Sequence, residues 1–150
     1  MFVGRIGVIK AARIPATVLV LSSGRIQGAI KDNRLLSAVN LTIGNFHMEG
    51  AIALFDPGSS ESVLFLQDAR TKIGHEPYDT GLVVGFDSDL KKVEYYEAKL
   101  ELPGQSSLHV DLLDVYDGPA VHADIIIGMD IIRKGKLTVD GLAGMFVFEI

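Results

Sequence analysis

Apolar and polar residues alternate along most of this chain in short runs, and the period is two rather than the 3.6 of a helix. Strands are therefore predicted over residues 2–9, 16–21 and 25–30, the last two joined as a hairpin through Ser22-Ser23-Gly24. A polar connector, Lys31-Asp32-Asn33-Arg34, follows. Residues 38–43 alternate up to the turn signal Gly44-Asn45, and residues 47–55 run back as the second arm of a hairpin. Val63, Leu66 and Gln67 are spaced for one helical face, so a short helix is expected over residues 62–70. Residues 82–84 and 92–102 read as the arms of a long hairpin with the polar tip Gly85-Phe86-Asp87-Ser88-Asp89. Pro103-Gly104 turns the chain into a further strand over 108–116. Ile125-Ile126-Ile127 has no polar face at all, the pattern of a strand buried on both sides. Residues 129–134 should form one or two helical turns stopped by Gly135, with strands at 137–139 and 145–150 around Asp140-Gly141. The last of these, Met145-Phe146-Val147-Phe148-Glu149-Ile150, is apolar enough to be expected to pair with a second chain.

Composition narrows the class. A chain of 150 residues, 48% hydrophobic, is one domain with a core of its own, spanning 1–150. The formal net charge of −5 argues against nucleic acid as a partner, since phosphate neutralisation needs clustered Lys and Arg. Cysteine is absent, which excludes disulfides, thiolate catalysis and cysteine zinc sites and fits a reducing cytoplasm. No apolar run approaches the ~20 residues that span a bilayer, so no membrane partner is expected. Residues 14–21 read as a strand rather than as the apolar core of a signal peptide. His47, His75, His109 and His122 lack metal-ligand spacing, and Asp87-Ser88-Asp89 lacks the remaining ligands of a calcium loop. Neither a metal nor another cofactor is expected.

The chemistry concentrates at Ala51-Ile52-Ala53-Leu54-Phe55-Asp56-Pro57-Gly58-Ser59-Ser60. An apolar strand ends in an acid, then a glycine turn with hydroxyls. A carboxylate beside an apolar run is costly unless something pairs with it or uses it. Taken alone, Asp-Pro-Gly-Ser is an ordinary β-turn composition. A second segment changes the weighing: Asp124-Ile125-Ile126-Ile127-Gly128-Met129-Asp130 is a buried-looking strand, then glycine, then another acid.

Together the two segments resemble the retropepsin-like (retroviral-type) aspartic proteases, over roughly residues 39–150. Cellular and phage members with a Gly-Met-Asp segment are the more similar branch. The resemblance implies an all-β fold, the retropepsin-like acid-protease half-barrel with a flap hairpin and one short C-terminal helix. Residues 1–35 stand outside it as an N-terminal β extension without a clear family counterpart. It implies an aspartic endopeptidase, a hydrolase of peptide bonds, working as a homodimer on an extended peptide or protein. Asp56 would be the catalytic aspartate of each chain, its loop supported by Pro57, Gly58, Ser59 and Gly128. Thr80, Gly81, Val83, Val84, Gly85 and Phe86 would belong to the flap that covers substrate. Asp79-Thr80-Gly81 matches the family's usual Asp-Thr/Ser-Gly triplet more closely than Asp56-Pro57-Gly58 does. Tyr78 and Pro77 precede it instead of an apolar strand, so it is read as opening the flap. Pro57 is the departure: it has neither the hydroxyl that braces the family's loop across the dimer nor an N–H. A second reading is therefore a catalytically weak, retropepsin-like peptide-binding or dimerisation module. A third is an unrelated small β-barrel.

Overall fold

The computed structural model describes residues 4–5, 17–84, 89–102 and 106–150. Within them the chain is nearly all strand: β1 (Gly4–Arg5), β2 (Val18–Ser22), β3 (Arg25–Lys31), β4 (Arg34–Ile43), β5 (Phe46–Phe55), β6 (Val63–Phe65), β7 (Asp79–Val84), β8 (Leu90–Leu102), β9 (Ser106–Tyr116), β10 (Ile125–Ile127), β11 (Lys136–Asp140) and β12 (Met145–Glu149). Two short helices interrupt them, α1 (Ala69–Ile73) and α2 (Met129–Ile132).

Six strands close on themselves. β8 pairs with β9, β9 with β6, β6 with β10, β10 with β5, β5 with β4, and β4 returns to β8 through Asn40–Thr42 against Lys99–Glu101. Closure removes the free edges that an open sheet would present. From β4 the sheet extends outward through β3 and β12 to β11, and from β8 through β7 to β1, while β2 lies on β9.

The alternation read in the sequence sorts side chains into two clusters. Leu41, Ile43, Ala53, Phe55, Leu100, Leu108, Val110, Ile125 and Ile127 belong to the larger core. Leu54, Val63, Val83, Val93, Tyr95 and Ile126 form a second one. Leu54 and Ile126 are paired neighbours on β5 and β10, so both faces of β10 and of the last three residues of β5 are buried. That is why Ala53-Leu54-Phe55 and Ile125-Ile126-Ile127 are apolar without a break.

Three expectations are corrected. The predicted hairpin of residues 16–21 with 25–30 does not form: β2 pairs with β9, and β3 pairs with β4 and β12. Instead Asp32 and Asn33, both at positive φ (52° and 61°), make the tight turn between β3 and β4. Such primed turns match the twist of paired strands, and Asn and Asp tolerate them well. The helix expected over 62–70 is strand β6 followed, after a turn, by the short helix α1. Val63 and Leu64 are both buried between β10 and β9, and sheet pairing overrides the weak helical spacing. Finally, the apolar C-terminal strand β12 is paired within the chain on both sides, by β3 and β11. Its Phe146 and Phe148 are buried in this chain's own core and need no second copy.

Candidate active site

Phe55, the last residue of β5, fixes where that strand ends. Its ring lies 5.2 Å from Phe146 and 5.4 Å from Phe148, centroid to centroid. Burying a side chain of this size stabilises by roughly 1.5–3 kcal/mol, so the strand end is firmly anchored. Asp56 follows immediately and is half-buried. Its backbone N–H donates to the Ile127 carbonyl at the end of β10 (2.9 Å), continuing the parallel pairing by one step.

The loop then folds back on the acid. The Gly58 N–H donates to Asp56 Oδ1 (2.9 Å), and the Ser59 N–H donates to the Asp56 carbonyl (3.0 Å). A Cβ on Gly58 would stand 3.1 Å from Asp56 Oδ1, so glycine leaves the carboxylate room. Ser59 is fully buried and its hydroxyl donates to the Glu61 carbonyl (2.7 Å), while Pro57 and Gly58 are exposed.

Gly128 meets this loop from the other side. Its N–H donates to Ser62 Oγ (2.9 Å), and the next N–H, of Met129, donates to the Ser59 carbonyl (2.8 Å). A Cβ at Gly128 would lie 2.5 Å from the Glu61 carbonyl oxygen and 2.8 Å from that of Ser59, distances no side chain could hold. Glycine is required here by close backbone approach, not by φ. Asp130 completes the brace. Its Oδ1 accepts from the Ser62 hydroxyl (2.7 Å) and the Ile131 N–H (2.9 Å), and its Oδ2 accepts from the Ser62 N–H (3.1 Å). At the other end of β10, Asp124 Oδ2 accepts from the Ile52 N–H (2.8 Å), and the Asp124 carbonyl accepts from Phe65 N–H (2.8 Å). Two carboxylates thus clip β10 at both ends, and the strand holds the Asp56 loop in place.

The structure therefore brings Asp56, Gly58, Ser59 and Gly128 into one hydrogen-bonded unit, with Pro57 at its exposed tip. Thr80, Gly81, Val83 and Val84 lie on β7, which pairs antiparallel with β8 from Asp79–Tyr95 to Val84–Leu90. Gly85 and Phe86 lie outside the described residues. Val83 is buried in the second cluster with Leu54 and Ile126, each two residues before Asp56 and Gly128 respectively. This hairpin and the two segments of the site thus share one apolar cluster. A Cβ on Gly81 would come within 1.9 Å of the Tyr95 hydroxyl, so glycine lets the Tyr95 ring lie against β7. Asp79-Thr80-Gly81 opens this strand, and the Thr80 N–H donates to Asp79 Oδ1 (2.7 Å). Ser62 was given no role by sequence reasoning, and Asp130, though quoted as the acid of the second segment, was not expected to meet it. Their signal is faint: a serine shortly after the turn, and an acid in the first turn of a helix that follows glycine, where it also suits the helix dipole. Among the described residues no three His, Asp or Glu side chains gather as a metal site.

The fold has a counterpart among solved structures. The crystal structure of a retropepsin-like aspartic protease from Rickettsia conorii matches with a TM-score of 0.55, at 15% identity, over 91% of this chain and 96% of that one. The fold is retropepsin-like. No protein-family model matches the sequence, and no curated protein matches it. At that identity the likeness is one of fold, and the roles of residues rest on the geometry just described. The parallel β5–β10 pairing sets the ends of two strands side by side, with Asp56 after one and Gly128 after the other.

Proposed function

We propose that this chain is an aspartic endopeptidase of the cellular or phage retropepsin-like branch, with one active site shared by two copies. The observation that carries this reading is Asp56. It is a half-buried carboxylate at a rigid strand end, its loop braced by Gly128, on a retropepsin-like fold. One chain supplies one such carboxylate, so the dyad requires a second copy. Two carboxylates at close range cannot both ionise cheaply, and the pair shares one proton. One Asp56 accepts a proton from water as it attacks the scissile carbonyl, and the other donates a proton to the oxyanion or the leaving amine. Pro57, Gly58, Ser59 and Gly128 hold the loop, and no cofactor takes part. The β7–β8 hairpin, with Thr80, Gly81, Val83, Val84, Gly85 and Phe86, covers an extended peptide, with backbone hydrogen bonds giving affinity. The absence of cysteine supports a reducing, cytoplasmic setting; among the described residues no helix is long and apolar enough to cross a membrane.

Pro57 favours a second reading, a peptide-binding or dimerisation module of the same fold with little turnover. Proline brings no hydroxyl or N–H to the loop tip, where a partner loop would be braced. Cleavage of a peptide library by the wild type beside Asp56→Asn separates the two. Turnover lost in the variant, with the fold retained, supports the protease. Equal cleavage by both forms refutes the assignment to Asp56 and directs attention to Asp79. Binding without cleavage by either form supports the module.

A further inference from the structure

The peptide bond between Asp56 and Pro57 joins two groups that can react with each other. Its nitrogen belongs to a proline ring and carries no hydrogen. The Asp56 carboxyl group can reach the carbonyl carbon of its own residue by closing a five-membered ring. A carboxyl oxygen held this way is an intramolecular nucleophile, which replaces a chance encounter with water.

The loop positions both partners. The Gly58 N–H donates to Asp56 Oδ1 (2.9 Å), turning the carboxyl group back along its own loop. The Ser59 N–H donates to the Asp56 carbonyl oxygen (3.0 Å). That oxygen gathers negative charge when its carbon is attacked, and a donor already in place stabilises it. Pro57 and Gly58 are exposed, so water reaches the bond. The chain is also held independently on the two sides of it. β5 lies between β4 and β10, and β6 lies between β10 and β9. Ser59 and Ser62 are tied to Met129, Gly128 and Asp130. A break after Asp56 therefore opens the loop without releasing a strand.

We propose that this chain cuts itself between Asp56 and Pro57 in acid and leaves a nicked, still folded domain of residues 1–56 and 57–150. An Asp56 carboxyl oxygen bonds to the Asp56 carbonyl carbon and closes a cyclic anhydride. The bond from that carbon to the Pro57 nitrogen breaks, its electron pair goes to the nitrogen, and the carboxyl proton follows it, so Pro57 leaves as a free amine. Water then adds to one anhydride carbonyl and opens the ring, and Asp56 ends its fragment with two carboxyl groups. Nothing is oxidised or reduced. The step needs a single chain, so it does not rest on the two-chain reading above. Its consequence is that the loop orienting Asp56 is severed by the chemistry of Asp56 itself.

The test follows the purified full chain in mildly acidic buffer by intact-mass spectrometry, with the same chain in concentrated urea at the same pH as the reference. The charged groups on the elements packed around the loop are Arg34, Glu61, Asp124, Asp130 and Arg133, and every arm is run at one pH. The folded chain should split after Asp56 at least about tenfold faster than the unfolded one. Its half-life should not change on dilution, and the two fragments should stay together in gel filtration. Asp56→Asn removes the acid, and Pro57→Ala makes the bond an ordinary secondary amide. Each should slow the cut at least about tenfold, with circular dichroism reading the fold. Should either variant fold poorly, the comparison of folded with unfolded wild type still decides. A folded chain cut no faster than the unfolded one, a half-life that lengthens on dilution, fragments that separate, or unslowed scission of Pro57→Ala would each overturn the proposal. Cleavage of a peptide substrate by a chain that itself stays intact would sink self-scission and leave the protease standing. Self-scission by a chain that cleaves no peptide would do the reverse.

Discussion

At the scale of single residues the site stands on contacts that tolerate no added atom or lost partner. Gly128→Ala would push a methyl group into two backbone carbonyls, which cannot move without displacing the Asp56 loop. Overpacking of this kind costs about 1–3 kcal/mol, and a lower urea midpoint together with lost peptide turnover is the expected result. Removing Asp130 leaves the Ser62 N–H and hydroxyl, in a residue only 1% exposed, without their acceptor. Asp130→Ala should therefore destabilise by about 1–3 kcal/mol, and Asp130→Asn by less, because the amide oxygen still accepts. Equal urea midpoints for wild type and Asp130→Ala would show that the brace is not needed. Pro57→Thr supplies the hydroxyl that the exposed loop tip lacks. In a two-chain site the hydroxyl would form two new bonds by symmetry, roughly 1–3 kcal/mol in total, read as a tighter dimer and faster turnover. Asp56 itself was legible because an acid ending an apolar run is conspicuous. The bond between Ser62 and Asp130 was not, since a serine and an acid far apart in sequence give no sign that they meet until β10 threads beside the loop.

At the scale of elements, local patterning yielded the strands but not all their partners. Residues 47–55 and 125–127 were readable as strands because the apolar runs 51–55 and 125–127 end at turn residues. Their parallel pairing was not predicted, since it depends on non-local geometry. The hairpin expected between residues 16–21 and 25–30 failed for the same reason. Period two says that a segment is a strand and which residues share a face, but not what lies beside it. The region of α1 misled because Val63, Leu66 and Gln67 fit a helix as well as a strand followed by a turn. The hairpin of β7 and β8 offers a test of packing at this scale. Gly81→Ala places a methyl group 1.9 Å from the Tyr95 hydroxyl and 2.7 Å from Cζ, and Tyr95 is buried. Destabilisation by about 1–3 kcal/mol is expected, with faster amide hydrogen exchange in β7. Tyr95→Phe removes the closest atom, so the pair of changes together should cost less than the sum of the two alone. Additive effects would show that Gly81 is not required by that ring.

At the scale of the molecule, the closed ring of six strands explains how so short a chain presents a carboxylate rigidly at its surface. Closure leaves only the outer strands as edges among the described residues. The all-β class was legible in the sequence from its dominant period of two. The closure of the barrel was not, because the β4–β8 pairing that completes it joins segments whose alternation would suit many neighbours. The burial of β12 was likewise hidden: an apolar C-terminal strand looks the same in sequence whether its partners come from its own chain or another. The central claim is that two copies each give one Asp56 to a single site. Its most direct test mixes wild type with increasing amounts of Asp56→Asn chain at a fixed total concentration, after the subunits have exchanged. Cleavage of a peptide substrate is then followed. If the site is shared, mixed pairs hold one aspartate and are inactive, and the rate falls as the square of the wild-type fraction. A rate that falls only in proportion to that fraction would mean that each chain carries its own complete site, and the two-chain reading would be wrong.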